Sequence, residues 1–411
     1  MSDSTNSNPT PTVCFNLEEA KNIGLRGITV ADSAICKVDG EQGVLLYRGY
    51  DIETLAVNAT YEEVAHLLLC DKLPTPAELA GFRRELAANS FLPPTIIKVL
   101  EAIDPETEAM VVLQGVAPLL AVDDDESQVV TKEANYRAGM RLVARLPLLV
   151  AAWYRVRQGK TVVAADPKRT IAENFLYTMH GQEPDPFMVR VMDVALILHA
   201  EHSFNASTFT CRLVASTRAT IYAAVAAAIG SLSGELHGGA NARVYEMLEA
   251  VGHEDRVEEY VRKTLDGGGK IMGMGHAVYK TLDPRAKILG PLSQQLGERS
   301  GDPSWHQLSE KIMAVTKTEF KQRKNLEINA NVDFFSASLY RYMGIPVDLY
   351  TPIFAMARIS GWVSHYLEEF FAEVAPKGAL YRPRADYAGR YCGPEGCLWQ
   401  GLEERAQEIE H

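Results

Sequence analysis

The sequence predicts a mainly α-helical protein with a small β element near its N-terminus. Apolar residues recur at intervals of three and four in several long segments, which is typical of helices with one buried face. Strict alternation of apolar and polar residues, typical of strands, occurs in few places. The chain has 411 residues, of which 47% are hydrophobic, so it can bury a large core and is long enough for two or three domains.

The N-terminal region divides into a tail and a hairpin. Residues 1–14, MSDSTNSNPTPTVC, are rich in Ser, Thr, Asn and Pro and are expected to be disordered. Residues 27–51 alternate apolar and polar side chains around the turn signals DG and EQG. This pattern predicts a short β-hairpin.

Three segments carry the helical prediction. A T-x-x-E capping box at 60–63 predicts a helix start in front of YEEVAHLLL. Residues 354–374 repeat apolar side chains every three and four positions and indicate a long core helix. Residues 219–234 are small and apolar on every side, which favours a helix buried among other helices. The acidic 122–127 and the polar 158–169 are predicted to be exposed loops.

Charge excludes some classes of protein. The formal charge is −12 and no dense block of Lys and Arg occurs, which argues against a broad nucleic-acid surface. No apolar run approaches the length of a membrane span, and the first residues do not resemble a signal peptide, so a cytoplasmic location is expected.

The cysteines do not form the pattern of a disulfide framework, and we expect them to be reduced. They are Cys14, Cys36, Cys70, Cys211, Cys392 and Cys397. The last two, in YCGPEGC, leave a disulfide or half of a metal site open as alternatives. A loop with two inert thiols is the favoured interpretation.

Residues 267–285, GGGKIMGMGHAVYKTLDPR, place His276 between glycines and two cations. A nucleotide-phosphate loop is disfavoured because GGGK lacks the P-loop pattern. A metal site is disfavoured too: HAEH puts His199 and His202 on one helical face, but the HExxH signature is absent. An anionic-substrate pocket gains from Lys280 and Arg285, since an Arg can bind a carboxylate through two hydrogen bonds.

Two further residues are candidates for chemistry. His237 in GELHGGAN has glycine neighbours, which let a ligand approach the imidazole closely. Asp333 in NVDFFS has apolar neighbours, and desolvation there would raise its pKa toward the range of a general base. From local sequence alone, a helix cap is the slightly favoured role for Asp333.

Seven segments, taken together and in order, resemble the citrate synthase family from about residue 24 to about residue 389. They are ADSAICKVDGEQGVLLYRGYDI, HAEHSFNAST, GELHGGANARVYEML, GMGHAVYKTLDPRA, NVDFFSASLYRYMGIP, TPIFAMARISGWVSHYLEE and YRPRADYAG. The short bacterial and archaeal form is the most similar. One departure is Ala277, where many bacterial members have Arg, so part of the coenzyme A phosphate contact is expected to differ.

The resemblance implies a two-domain helical fold that forms a homodimer with shared active sites, with assembly into hexamers left open. The large domain would comprise 15–235 and 345–411, the second part ending in a C-terminal tail. The small domain would be 236–344. No nucleic acid or membrane partner is expected.

The resemblance also implies an activity: condensation of acetyl-CoA with oxaloacetate and water to give citrate and CoA, without a metal or cofactor. The implied catalytic residues are His237, His276 and Asp333. The implied oxaloacetate ligands are His202, Arg285, Arg358 and Arg382, the last supplied by the partner subunit. The implied CoA-binding residues are Lys270, Met272, Gly273, Gly275 and Lys280. A 2-methylcitrate synthase, using propionyl-CoA through the same residues, is the alternative. A metal-dependent hydrolase and a non-catalytic helical scaffold are both disfavoured.

Overall fold

The computed structural model describes residues 24–25, 27–389, 394–397, 399 and 401–402. The described chain is mainly helical, as predicted, and the predicted disordered tail 1–14 lies outside it. Its strands are β1 (Cys36–Asp39), β2 (Val44–Tyr47) and β3 (Tyr50–Asp51). Its α-helices are α1 (Ile52–Asn58), α2 (Tyr61–Cys70), α3 (Pro76–Asn89), α4 (Pro94–Ala102), α5 (Ala109–Val116), α6 (Lys132–Val156), α7 (Ile171–His180), α8 (Pro186–His199), α9 (Ala206–Ser216), α10 (Ile221–Leu232), α11 (Ala240–Val251), α12 (Val257–Asp266), α13 (Pro284–Ser300), α14 (Ser304–Lys324), α15 (Val332–Tyr342) and α16 (Tyr350–Phe370).

The predicted hairpin is confirmed. Strands β1 and β2 pair antiparallel, with Cys36 opposite Tyr47 and Asp39 opposite Val44. The turn between them contains Gly43 at a φ of +70°, a conformation that favours glycine. The short strand β3 pairs with β2 and was not predicted, because two residues are too few to show alternation.

The predicted helices are confirmed as well. Helix α2 begins with the full capping box: Thr60 accepts a hydrogen bond from the Glu63 backbone, and Glu63 accepts one from the Thr60 backbone. Helices α10 and α16 occupy the two apolar segments. Nearly every residue of α16 is buried, so this helix runs through the core and can present polar side chains to an interior site.

The helices pack in two groups. Helix α16 contacts α2, α6, α8, α9 and α10, and these helices surround it. Helices α11 to α15 pack mainly on one another, and they meet the first group where α13 contacts α1 and α8 and where α11 contacts α16. The division into a large domain and a small domain of 236–344 remains a prediction.

Two expectations about loops and thiols are corrected in part. The segment 122–127 contains no regular helix or strand, but Asp124 is buried because it accepts a hydrogen bond from Tyr222 at 2.7 Å and pairs with Arg141 at 2.9 Å.

Three thiols are free, at Cys36, Cys70 and Cys211. Cys397 is disulfide-bonded, so the expectation of a reduced thiol is wrong there. Cys14 and Cys392 lie outside the described residues.

None of the helices that the structure describes is long and apolar enough to cross a membrane.

Candidate active site

Six of the residues predicted to act on substrate meet in one cavity of about 580 Å³. The cavity is bounded by the loop between α8 and α9, the loop before α11, the loop 275–278, and the helices α15 and α16. The predicted residues that line it are His202, His237, His276, Arg285, Asp333 and Arg358. The size is ordinary for a small-molecule site.

His237 is held in one tautomer by a backbone amide. Its Nε2 accepts a hydrogen bond from the Ser207 backbone N–H at 3.1 Å, and the Ser207 hydroxyl lies 2.9 Å from the same nitrogen. A ring nitrogen that accepts from an N–H carries no proton, so in the neutral ring the proton is on Nδ1. Burial, assisted by the charge of Arg358, lowers the pKa of His237 to about 4. The site therefore holds a neutral imidazole with a defined donor.

His276 is fixed the opposite way round. Its Nδ1 accepts hydrogen bonds from the backbone N–H groups of Val278 at 3.0 Å and Tyr279 at 3.1 Å. The proton is therefore on Nε2, which lies 3.5 Å from Nη2 of Arg285. Burial and the Arg285 charge lower the pKa of His276 to about 4. Two hydrogen-bond donors thus lie side by side, an arrangement suited to one oxygen acceptor.

Arg285 is locked in place at the start of α13. Asp283, the N-cap of that helix, accepts hydrogen bonds from Arg285 Nε at 3.0 Å and Nη2 at 2.8 Å. Asp283 also accepts the backbone N–H of Val332 at 3.1 Å. This one carboxylate therefore ties the arginine to the start of α15, the helix that carries Asp333.

Arg358 projects from α16 and is 1% exposed. Its Nε donates to the backbone oxygen of His199 at 2.7 Å. Both terminal amino groups, Nη1 and Nη2, are buried and have no hydrogen-bond partner among the described residues. Buried polar groups in folded proteins are almost always bonded, so the two free amino groups indicate a place for an anion.

His202 lies beside these groups in the loop after α8, so the expectation that it shares one helical face with His199 is wrong. Its Nε2 is 3.1 Å from the Tyr279 hydroxyl, and its ring centre is 5.5 Å from that of His276. Burial lowers its pKa well below the usual value, with Arg285, His276 and Arg358 acting in the same direction. His202 is therefore a third neutral histidine in the cavity.

Asp333 is not the cap of its helix, so the slightly favoured structural interpretation is wrong. Asn331 is the N-cap of α15 and accepts the backbone N–H of Asp333 at 3.0 Å. The Oδ1 atom of Asp333 is buried and has no partner in the described chain. Burial raises the pKa of Asp333 to about 6. A carboxylate with a free oxygen and a pKa near neutrality is suited to removing a proton.

The glycine-rich loop is attached to the same helix start. Met274 and Ala330 form an isolated antiparallel bridge, Gly275 donates to the Asn329 backbone oxygen at 2.7 Å, and Asn331 donates to that of Gly273 at 2.9 Å. Gly273 and Gly275 have φ values of +73° and +85°, which explains glycine at both. The loop therefore positions His276 relative to Asp333.

Most of the remaining predicted residues are not brought to the cavity. Of the predicted CoA-binding residues, Gly275 lines it, whereas Lys270, Met272, Gly273 and Lys280 do not. Lys280 pairs with Glu41 of the hairpin turn. Arg382 is exposed in the segment that follows α16. The chain around it is anchored by Tyr381, whose ring lies 5.6 Å from that of Phe209.

Several residues of the site were missed from the sequence. Ser207 sets the tautomer of His237, Tyr279 contacts His202, and Asp283 holds Arg285. Ser207 and Tyr279 act through contacts with residues 30 and 77 positions away, for which no local pattern exists. Asp283 could have been found, because Asp-Pro before a helix is an N-cap signal.

In the part of the chain that the structure describes, no group of three or more His, Cys, Asp or Glu side chains is placed to hold a metal ion.

Comparison with known proteins identifies the family of the chain. The family described as "Citrate synthase, C-terminal domain" matches residues 24–384. A citrate synthase of Haloferax volcanii is 43% identical over 89% of this chain and 95% of its own. A 2-methylcitrate synthase of Shewanella oneidensis is 38% identical over 91% of this chain and 97% of its own.

A solved structure has the same fold. It is the ternary complex of carboxymethyl coenzyme A and oxaloacetate with citrate synthase from Thermoplasma acidophilum, which superposes with a TM-score of 0.83 at 27% identity. The superposition covers 92% of this chain and 98% of that one. The chain therefore belongs to the citrate synthase family.

Proposed function

We propose that this protein condenses acetyl-CoA with oxaloacetate and water to give citrate and CoA. The observation that carries the proposal is the meeting of Asp333, His237 and His276 with two buried arginines in one cavity. The carboxylate can remove a proton from a carbon atom there, and the two arginines can bind a dianion. The family relationship supports the same reaction.

In the first step, Asp333 removes a proton from the methyl group of the acetyl thioester. Its buried Oδ1 has no competing partner in the described chain, and its raised pKa makes it a stronger base than an ordinary carboxylate. The thioester oxygen gains negative charge as the proton leaves. The Nδ1–H of His237 donates to that oxygen, because its Nε2 is already occupied by Ser207.

In the second step, the nucleophilic carbon attacks the ketone of oxaloacetate. The ketone oxygen is placed where His276 Nε2–H and Arg285 Nη2 converge, and it takes the proton of His276 as the new C–C bond forms. Arg358 binds a carboxylate of oxaloacetate through its two free amino groups. The product of this step is citryl-CoA, and water then cleaves its thioester to release citrate and CoA.

We further propose that the segment 236–344 is a small domain that closes over oxaloacetate. Leu236, at its first residue, is 96% exposed, and Val278 is exposed at the cavity wall. Covering exposed apolar side chains at a cavity rim lowers the free energy, because apolar surface is removed from water. Closure would exclude water until condensation is complete and so protect the thioester.

The same proposal covers the oligomeric state and the cellular location. Arg382 lies outside the cavity of its own chain, which supports its predicted donation by a partner subunit of a homodimer. The CoA-binding role of Lys270, Met272, Gly273, Gly275 and Lys280 and the cytoplasmic location stay predictions. The absence of a required cofactor also stays a prediction.

Release of thiol from acetyl-CoA in the presence of oxaloacetate tests the function. We expect release with the wild-type protein, and a loss of several orders of magnitude in kcat with Asp333→Asn, while oxaloacetate still stabilises the variant against heat. Asp255→Asn is the control, since that carboxylate is exposed and outside the cavity. Near-wild-type turnover in Asp333→Asn would remove Asp333 from the mechanism.

The same assay with propionyl-CoA separates the two acyl substrates. One methylene is worth about 1–3 kcal/mol of discrimination in an apolar pocket, so kcat/KM must be compared for both thioesters. A preference for acetyl-CoA is expected. A preference for propionyl-CoA would establish the 2-methylcitrate reaction with the same catalytic residues, and release with neither would overturn the proposed function.

A further inference from the structure

Arg358 is a buried cation without a bonded anion. No carboxylate in the described residues lies within ion-pairing distance of it, and within that part of the chain its side chain donates one hydrogen bond, from Nε to the His199 backbone oxygen. Burying an unpaired charge is costly. Burial indeed lowers the pKa of this guanidinium, and Glu201 is the largest influence in the opposite direction. Among the charges around Arg358, Glu201 therefore stabilises the guanidinium cation most.

Glu201 is completely buried beside Arg358. Residues 358 and 361 lie on one face of α16. A Cβ atom at Gly361 would lie 2.3 Å from Glu201 Oε2 and 3.3 Å from Arg358 Cδ. The carboxylate and the stem of the arginine thus approach the same glycine, and the carboxylate does not occupy the terminal amino groups.

His365 holds the other oxygen of this carboxylate. Its Nδ1 accepts from Arg212 Nη1 at 3.0 Å, because an arginine can only donate. The proton of the neutral ring is therefore on Nε2, which donates to Glu201 Oε1 at 3.0 Å. Oε2 is left buried without a partner in the described chain. One oxygen of Glu201 is fixed, and the other carries charge that no bond satisfies.

Arg212 does not neutralise Glu201, because it already has two carboxylates of its own. It pairs with Glu368 at 2.6 Å and with Glu369 at 2.6 Å. Those two carboxylates also accept hydrogen bonds from distant parts of the chain. Glu368 accepts one from the Ala34 backbone N–H at 2.8 Å, and Glu369 accepts one from the Tyr381 hydroxyl at 2.9 Å. The negative charge of Glu201 therefore remains available to Arg358.

We propose that Glu201 is a positioning residue that serves as the counter-ion of Arg358 while the site is empty. It offsets the buried charge and leaves both terminal amino groups free for the substrate carboxylate. When a dianion binds, it shares Arg358 with Glu201, which weakens binding and favours release. This last step rests on the proposed function, whereas the pairing of Glu201 with Arg358 does not.

A double-mutant cycle on thermal stability tests the pairing. The four proteins are wild type, Glu201→Gln, Arg358→Gln and the double variant, measured as full-length protein without ligand. We expect each single variant to lower Tm, since each leaves one buried charge uncompensated. The double variant should lose clearly less than the sum of the two single losses.

Glu62→Gln is the matched control. Glu62 is also buried, with one oxygen bonded to the Ile171 backbone N–H at 2.7 Å and the other without a hydrogen-bond partner in the described chain. It does not line the cavity around Arg358. Its Tm loss should add to that of Arg358→Gln without coupling. If the losses of Glu201→Gln and Arg358→Gln are likewise additive, the pairing is wrong.

Folding failure is informative as well. If Glu201→Gln gives no folded protein and the double variant folds, the pairing is supported. If neither folds while Arg358→Gln does, Glu201 acts on something other than Arg358 and the proposal is overturned.

Oxaloacetate binding tests the consequence for the substrate. Without Glu201, oxaloacetate becomes the main counter-ion of Arg358, so Glu201→Gln should bind it several-fold more tightly, with a larger rise of Tm at equal concentration. The KM for acetyl-CoA should stay unchanged. Weaker oxaloacetate binding in Glu201→Gln would overturn the counter-ion role. If oxaloacetate fails to stabilise even the wild type, the proposed function is wrong, while the stability cycle still decides the pairing.

Discussion

At the scale of single residues, Asp333 and the two histidines differ in what pH does to them. Burial raises the pKa of Asp333 to about 6, so its basic form is lost as pH falls through that value. Burial lowers the pKa values of His237 and His276 to about 4, so both rings are neutral above about pH 5. The carboxylate alone therefore titrates near physiological pH.

We predict that kcat/KM for acetyl-CoA has one acid limb centred near the Asp333 pKa of about 6. Activity should fall about tenfold for each further pH unit, since only the ionised carboxylate accepts a proton. The measurement is a pH–rate profile of thiol release, limited to the range in which circular dichroism shows folded protein. A plateau continuing down to the ordinary carboxyl pKa of about 4 would contradict the raised value.

The sequence could identify the residues with unusual neighbours and missed those whose partners are distant. His237 and His276 each have glycine on one side, and Asp333 has apolar neighbours, so local pattern singled them out. Nothing local indicates which ring nitrogen of His237 carries the proton. That depends on the backbone of Ser207, reached only when α9 packs beside the loop of His237.

At the scale of elements, α16 depends on one glycine. A Cβ at Gly361 would lie 2.3 Å from Glu201 Oε2 and 2.4 Å from the Ala200 backbone oxygen, which are impossible contacts unless the chain shifts. We predict that Gly361→Ala lowers stability by about 1–3 kcal/mol, as overpacking does, and raises the KM for oxaloacetate because Arg358 shifts. Chemical denaturation and steady-state kinetics measure the two effects.

Gly81 in α3 is the control for the same substitution. A Cβ there would meet only the end of the Arg84 side chain, at 3.8 Å. Replacing glycine by alanine inside an open helix gains about 0.5–1 kcal/mol, so Gly81→Ala should stabilise the protein. Equal effects of the two substitutions would show that Gly361 is not required by its neighbours.

Elements with a strong local signal were predictable, and their arrangement was not. The capping box at Thr60 and Glu63 and the turn at Gly43 correctly located a helix and a hairpin. The exposed location expected for 122–127 was wrong at Asp124, because its partners come from other helices, Arg141 from α6 and Tyr222 from the distant α10. Charge composition does not show that a carboxylate will find buried partners.

At the scale of the whole molecule, the proposed sharing of Arg382 between subunits predicts complementation. Arg382→Ala and Asp333→Asn should each be inactive alone. When the two proteins are unfolded and refolded together in equal amounts, a mixed dimer has one site with both wild-type residues. About a quarter of wild-type activity should return, by random pairing in a two-fold dimer.

Complementation distinguishes the two ways of supplying Arg382. If each chain used its own Arg382, every site in the mixed dimer would lack either the arginine or the aspartate, and no activity would return. Refolded wild-type protein is the control for recovery. Activity that failed to return despite full recovery of the control would contradict the shared site.

The two tethers at the end of α16 bring distant parts of the chain together. Ala34 bonds to Glu368, and Tyr381 bonds to the adjacent Glu369, so the segments around residues 34 and 381 lie side by side on one pair of carboxylates. The fold therefore depends more on these contacts at the end of α16 than on the order in which the chain connects the helices. A circular permutant that joins the two ends by a linker, with new termini opened in the loop 158–169, would keep every contact of the cavity.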